Sequence, residues 1–286
     1  MSWTILSLIQ TTESYFKKHG IENPRLNAEE LLAHALKKDR IFLYMEYDQP
    51  VSQAQLDNFR ELVRKRANHT PLQHLLGVQQ FRGVELSVGQ GVFIPRPETE
   101  TLIDYARELL DQMKSEEIHC LEVGTGSCAI PLSLAQENPR VQIDALEILA
   151  SSYLYAEKNL GRYPDLAKRI NLIQADFRNF TTEKSYDIVI SNPPYIARGD
   201  IKNLPQEVRE GDPVEALDGG EDGLEPLRAL AIRAKDWLRS GGWVISELGD
   251  DQGEVAKEIF STKDFTNVEL KQDLTERIRF VVAKKV

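Results

Sequence analysis

Apolar residues recur at helical spacing through the first quarter of the chain, then give way to short apolar runs separated by amphipathic stretches. Ile5, Leu8, Ile9 and Phe16 predict a helix over 4–19, stopped by Gly20. Asn27, with Glu30 three residues on, reads as a capping box before Leu31, Leu32 and Leu36. Ser52 and Gln55 read the same way ahead of Leu56, Phe59, Leu62 and Val63, and a short helix follows Pro71. These segments predict a bundle of four or five helices over residues 1–78. Residues 79–97 mix short β-like runs with Gly and Pro, which suits a connector holding a hairpin.

From residue 98 the pattern alternates. Strand-like runs at 118–123, 141–147, 170–175, 186–191 and 241–248 are separated by helical stretches at 127–137, 150–160 and 223–239. A helix is also expected at 98–113, ahead of the first strand, and another at 252–260. Alternation of this kind predicts a doubly wound α/β domain over 98–286, with a mostly parallel sheet. Two last runs, 265–271 and 277–283, have no helix between them and should pair antiparallel, giving seven strands.

Composition narrows the class. The chain has 286 residues, a net charge of −10 and two cysteines. Residues 1–90 hold 11 Lys/Arg and 10 Asp/Glu, so the acidity lies in the remainder. A net-acidic chain is a poor non-specific binder of nucleic acid, and no stable nucleic-acid binding is expected. Two cysteines make no disulfide framework, and neither pairs with His or Cys at a zinc interval, so no metal is expected. No apolar run is long enough to cross a bilayer, and the first sixteen residues read as an amphipathic helix rather than a signal peptide. A cytoplasmic protein is the expectation.

The chemistry-bearing residues sit at strand ends. The first strand of the α/β part runs into Gly124-Thr125-Gly126-Ser127-Cys128-Ala129, a turn that lets backbone approach a ligand. Glu147 ends the next strand 23 residues after Gly124, where a carboxylate can accept both hydroxyls of a ribose. The loop alone fits either NAD or S-adenosylmethionine. Glu122 favours the latter, because a carboxylate two residues before the glycine suits a cationic sulfonium better than a pyrophosphate. A fourth strand ends in Asn192-Pro193-Pro194-Tyr195. An amide or arylamine nitrogen is a poor nucleophile unless acceptors turn its lone pair toward the electrophile. The Asn192 side-chain carbonyl and the Pro193 carbonyl can accept its N–H groups, and Tyr195 offers a flat face. A bare Pro-Pro turn is the plain alternative. Arg60, Arg64, Lys65 and Arg66 read as a solvated basic face, Arg96 and Glu98 as an ion pair beside the site, and the acidic run 207–225 as a mobile loop that can act as a substrate lid.

LEVGTG with Glu147, QADF at 174–177 and NPPY together resemble amino-methyltransferases that act on planar nitrogens. PLQHLLG (71–77), FRGVELSV (81–88), IPRPETE (94–100) and PVEALDGGEDGL (213–224) resemble the peptide chain release factor glutamine methyltransferases specifically, and the likeness spans nearly the whole chain. Adenine-specific DNA enzymes usually carry a target-recognition domain for which there is no room. The resemblance implies a Rossmann-like methyltransferase sheet with a small N-terminal domain for substrate recognition. It implies S-adenosylmethionine as methyl donor, S-adenosylhomocysteine as product, and the glutamine of the GGQ motif of class-1 release factors as acceptor. It implies that Glu122, Gly124 to Cys128, Glu147 and Asn192 contact the cofactor, that Asp176 and Phe177 flank its adenine, and that Asn192 to Tyr195 hold the glutamine amide. The family commonly has a second Thr-Gly where this chain has Ser127-Cys128. A ribosomal-protein glutamine or an adenine base remains an alternative acceptor.

Overall fold

The computed structural model describes residues 3–286; Met1 and Ser2, the first two positions of the expected helical domain, lie outside the described residues. The chain forms two compact units.

One unit comprises residues up to Val78 together with Pro205–Gly211. Its helices are α1 (Ile5–Lys18), α2 (Pro24–Leu36), α3 (Arg40–Met45), α4 (Gln53–Ala67) and α5 (Leu72–Leu76). Thr4 and Ser7 form a reciprocal capping box that starts α1, and Ser52 and Gln55 do so for α4. Phe16, Leu31, Leu32, Leu43 and Phe59 fill the core of the bundle.

The expected cap at Asn27 is wrong. Pro24, with its preset φ and no N–H to leave unpaired, opens α2 a turn earlier. Asn27 therefore lies inside the helix, donating to the Glu22 and Asn23 carbonyls and accepting from Arg66 Nε at 2.7 Å. Arg66 is correspondingly not part of a solvated face. It is buried, and it also binds the Thr70 carbonyl and Glu207. The cap of one helix and the charge of another were misread for one reason: each is satisfied by a partner 39 residues away.

The second unit begins with the hairpin. Strands β1 (Val78–Phe81) and β2 (Val84–Ser87) form a two-stranded sheet. Arg82 and Gly83 between them both have positive φ, +42° and +81°, the geometry a two-residue hairpin turn needs. The main sheet has β3 (Ile118–Val123), β4 (Val141–Glu147), β5 (Ile170–Gln174), β6 (Tyr186–Ser191), β7 (Leu238–Glu247), β8 (Phe265–Gln272) and β9 (Ile278–Lys285). Helices α6 (Glu100–Gln112), α7 (Ala129–Glu137), α8 (Ala150–Arg162), α9 (Pro164–Ala167), α11 (Glu225–Trp237) and α12 (Gly253–Phe260) accompany it, while α10 (Gln206–Gly211) belongs to the helical unit. The strand order is β5-β4-β3-β6-β7-β9-β8. β3 to β7 are parallel, and β9 runs antiparallel to both its neighbours. Strand β6 is buried along its whole length, which fits a central parallel strand and its near-continuous apolar run. Two apolar clusters fill the unit, one containing Val84, Leu102, Leu132 and Ile188, the other Val123, Leu227, Trp237 and Val244.

The chain proceeds β3, β4, β5 to one side and then returns to place β6 against the other flank of β3. The topological switch therefore falls between β3 and β6. In an open α/β sheet the ligand crevice lies there, beyond the carboxyl ends of the strands.

Candidate active site

A cavity opens at that switch point. Its walls are the loop after β3, the turn after β4, residues 175–178 after β5, residues 192–196 after β6 and residues 215–218. Phe93, Pro95 and Thr99 close one side. All of these residues belong to one compact unit.

The loop after β3 turns through two left-handed glycines, Gly124 (φ +77°) and Gly126 (φ +57°). The Gly124 and Thr125 N–H groups both donate to the Leu146 carbonyl at 2.9 Å, which folds the loop back over the end of β4. Glu147 holds the loop from below. Its Oε2 accepts from the Gly126 N–H and its Oε1 from the Leu149 N–H, each at 2.8 Å. Burial raises the Glu147 pKa, and those two N–H donors oppose the shift. Each oxygen still has a lone pair directed elsewhere, so the carboxylate can accept further hydroxyls.

Glu122 is buried at 2% exposure, and its carboxyl is pushed up to about 8. Burial is the main cause and the Glu147 charge adds to it. The Thr125 hydroxyl pulls the value partly back, yet no well-formed hydrogen bond joins the two, and Glu122 Oε2 and Thr125 Oγ1 both lack a partner. An unpartnered carboxyl oxygen lining a cavity is a vacancy in the hydrogen-bonding of this site that a cationic ligand fits.

Ser127 lines the cavity but Cys128 does not. The Cys128 side chain is fully buried in the apolar core and its backbone is left-handed, φ +67°. The expected side-chain contact of Cys128 with cofactor is therefore corrected: Sγ packs away from the cavity. The left-handed φ explains why glycine suits this position, since a Cβ there costs energy.

After β5, Asp176 and Phe177 both face the cavity. Asp176 Oδ1 caps its own turn by accepting from the Arg178 N–H at 2.9 Å, and Arg178 lies over the Phe177 ring.

Asn192, Pro193, Pro194 and Tyr195 all line the cavity, brought beside the glycine loop by the β3–β6 register that pairs Val123 with Ser191. Asn192 Nδ2 donates to Thr99 Oγ1 at 3.1 Å, and Thr99 Oγ1 donates to Glu247 Oε2 at 2.7 Å. The Tyr195 carbonyl accepts from Gln252 Nε2, which also holds the Gly223 carbonyl. Burial, and then the Glu247 charge, push the Tyr195 phenol up to about 12, so it stays protonated and is no base at neutral pH.

Three residues of this site escaped the sequence reading: Thr99, Glu247 and Gln252. Only Thr99 had a signal, as part of IPRPETE. Arg96 does not pair with Glu98; it binds Asp212 at 2.5 Å. The acidic run 207–225 is not one mobile loop. Its first part completes α10, and its second is strapped to the residues after Tyr195 by the Ile196–Leu217 and Gly219–Ile196 backbone bonds. Among the described residues, no group of three or more His, Cys, Asp or Glu is placed to hold a metal ion, and no helix is long and apolar enough to cross a membrane.

Two family models match the chain, the PrmC N-terminal domain over residues 7–77 and the methyltransferase small domain over residues 89–209. The release factor glutamine methyltransferase of Geobacter sulfurreducens is 35% identical over 95% of this chain and 93% of its own. The chain belongs to the release factor glutamine methyltransferase family. The enzyme of the same name from Rhodopirellula baltica is 35% identical over 99% of this chain and 97% of its own. Among solved structures, the catalytic domain of hMettl16 in complex with a MAT2A 3′UTR hairpin has a TM-score of 0.57 at 19% identity. It covers 79% of this chain and 81% of that one, a likeness of fold. Membership makes this protein a methyltransferase with S-adenosylmethionine as its methyl donor. The Rossmann-like sheet with its N-terminal helical domain agrees with the sequence reading.

Proposed function

We propose that this enzyme methylates the side-chain amide nitrogen of the glutamine in the GGQ motif of class-1 peptide chain release factors, in the cytoplasm. The observation that carries the reading is the orientation of Asn192. Its amide nitrogen is engaged by Thr99, so its carbonyl oxygen is left to accept an N–H at the cavity. That is the group an amide substrate needs and a hydride-transfer site does not.

The bound S-adenosylmethionine supplies an electrophilic methyl group on a positively charged sulfur. Glu122 would compensate that positive charge. Glu147 would hold the ribose hydroxyls while keeping the glycine loop in place, and Asp176 and Phe177 would flank the adenine. Asn192 Oδ1 and the Pro193 carbonyl would each accept one N–H of the glutamine, fixing the plane of the amide. The Tyr195 ring would stack on that plane. Holding a weak nucleophile in line supplies the rate enhancement; effective molarities of well-oriented pairs reach about 10⁵–10⁸ M. The helical bundle is assigned to recognition of the protein substrate, since the groups that serve the chemistry lie in the other unit.

Methyl transfer from labelled S-adenosylmethionine tests the assignment. The expected acceptor is a class-1 release factor, with no transfer to a variant whose GGQ glutamine is replaced by alanine. Label entering a ribosomal protein or an adenine-containing DNA, and not the release factor, would show that another planar nitrogen is the substrate.

A further inference from the structure

We propose that Thr99 and Glu247 are positioning residues that fix which end of the Asn192 amide faces the substrate. The inference rests on the reading that Asn192 accepts a substrate N–H, and adds what makes it an acceptor.

An asparagine amide can present either its oxygen or its nitrogen to a cavity, because the two ends are nearly the same shape. Something must break that symmetry. The hydroxyl of Thr99 has one hydrogen and two lone pairs. Its hydrogen is given to Glu247 Oε2 at 2.7 Å. Only lone pairs then remain for Asn192, and a lone pair accepts from the amide nitrogen and repels the amide oxygen. The Asn192 oxygen is turned toward the cavity as a consequence. An ionised carboxylate can only accept, so Glu247 sets the direction of the whole chain, Asn192 to Thr99 to Glu247.

The fold places the three groups rigidly. Ser191 pairs with Ser246 in the β6–β7 register, so Asn192 and Glu247 leave adjacent strands side by side. Thr99 closes the one-turn 3-10 helix Pro97–Thr99, between two prolines and α6. Thr99 and Glu247 are each 3% exposed, so water does not compete for these bonds. Four further groups face Glu247 or act on it. Arg279 on β9 favours its charge, Glu98 beside Thr99 opposes it, and Tyr195 and Asn192 come from the loop after β6. Burial dominates and holds the Glu247 carboxyl at about 7. Once protonated, Glu247 can donate to Thr99 instead, the Thr99 hydrogen is released toward Asn192, and the polarity of the chain is lost. Turnover at saturating substrates should therefore fall as the pH drops below about 7.

The test uses the full-length enzyme with a release factor as substrate. Thr99→Val keeps the shape and removes the hydroxyl; it should lower kcat by about 100-fold, as for one lost positioned bond, while calorimetry shows unchanged S-adenosylmethionine affinity. Thr99→Ser should restore turnover. In an Asn192→Ala background, Thr99→Val should have no further effect, because the group it orients is gone. Glu247→Gln should retain measurable turnover and lose the acidic limb of the kcat profile. Normal turnover of Thr99→Val with a crippled Asn192→Ala overturns this proposal alone, whereas normal turnover of Asn192→Ala overturns the underlying reading. If Thr99→Val does not fold, the Glu247→Gln profile decides: a retained acidic limb contradicts the proposal and a lost one supports it.

Discussion

Ser191 Oγ donates to the Val123 carbonyl oxygen at 2.8 Å, both groups buried at the ends of neighbouring strands. Val123 is the last residue before the glycine loop and Ser191 the last before Asn192. One hydrogen bond thus links the two motifs whose separation determines whether cofactor and amide meet. Ser191→Ala should cost about 0.5–1.5 kcal/mol of stability, the usual net worth of such a bond. Denaturant unfolding measures this, and turnover should fall more than cofactor affinity does.

Glu147 has two roles in this structure, and its substitutions separate them. Glu147→Ala removes the acceptor for the Gly126 and Leu149 N–H groups as well as the acceptor for ribose. Loss of charge-assisted bonds should weaken S-adenosylmethionine binding by about 10- to 150-fold, from about 1.5–3 kcal/mol. The chain should also unfold more easily. Glu147→Gln, which retains one acceptor oxygen, should recover part of both. Titration calorimetry and thermal melts report the two effects separately; a melt unchanged in Glu147→Ala would deny its role in holding the loop.

The unliganded enzyme should lose stability as the pH rises from about 5 to about 8. Glu122 and Glu247 have folded-state values near 8 and near 7, above the ordinary 4.5. Between the unfolded and folded values the native state binds more protons, so stability falls with rising pH by up to about 1.4 kcal/mol per pH unit for each group. Each slope ends once the pH passes that group's folded value. Glu122→Gln should flatten the upper part of the curve. A cationic ligand favours ionised Glu122, so binding S-adenosylmethionine near pH 7 should release a proton. Calorimetry in buffers of different ionisation enthalpy detects it.

The parts of this protein that follow from local pattern were legible in its sequence. The helix starts at Thr4 and Ser52 depend on residues three apart. The strands depend on apolar runs, and the glycine loop depends on a turn no other residue makes so readily. Partners distant in the chain were not legible. Arg66 looked solvated because Asn27 and Glu207 lie 39 and 141 residues from it. Thr99 and Glu247 are 148 residues apart, and neither forms a motif by itself. A sequence shows which side chains exist at the strand ends, and only the strand order shows which of them share a hydrogen.

Both cysteines should be inert in the folded chain. Cys120 lies in β3 and Cys128 at the start of α7, each fully buried, with burial pushing both thiols up from their ordinary value. Ellman's reagent should report no fast thiol in the native enzyme and two after unfolding. A fast-reacting Cys128, protected by S-adenosylmethionine, would return its side chain to the cofactor site.

The kinetics of Asn192→Ala with a class-1 release factor bear most directly on the central claim. The account predicts a loss of about 100- to 1,000-fold in kcat, equivalent to about 2.7–4 kcal/mol by analogy with a single oxyanion-hole donor, and nearly unchanged affinity for S-adenosylmethionine. Near-normal turnover by Asn192→Ala would contradict it, and would make the tetrapeptide a structural turn.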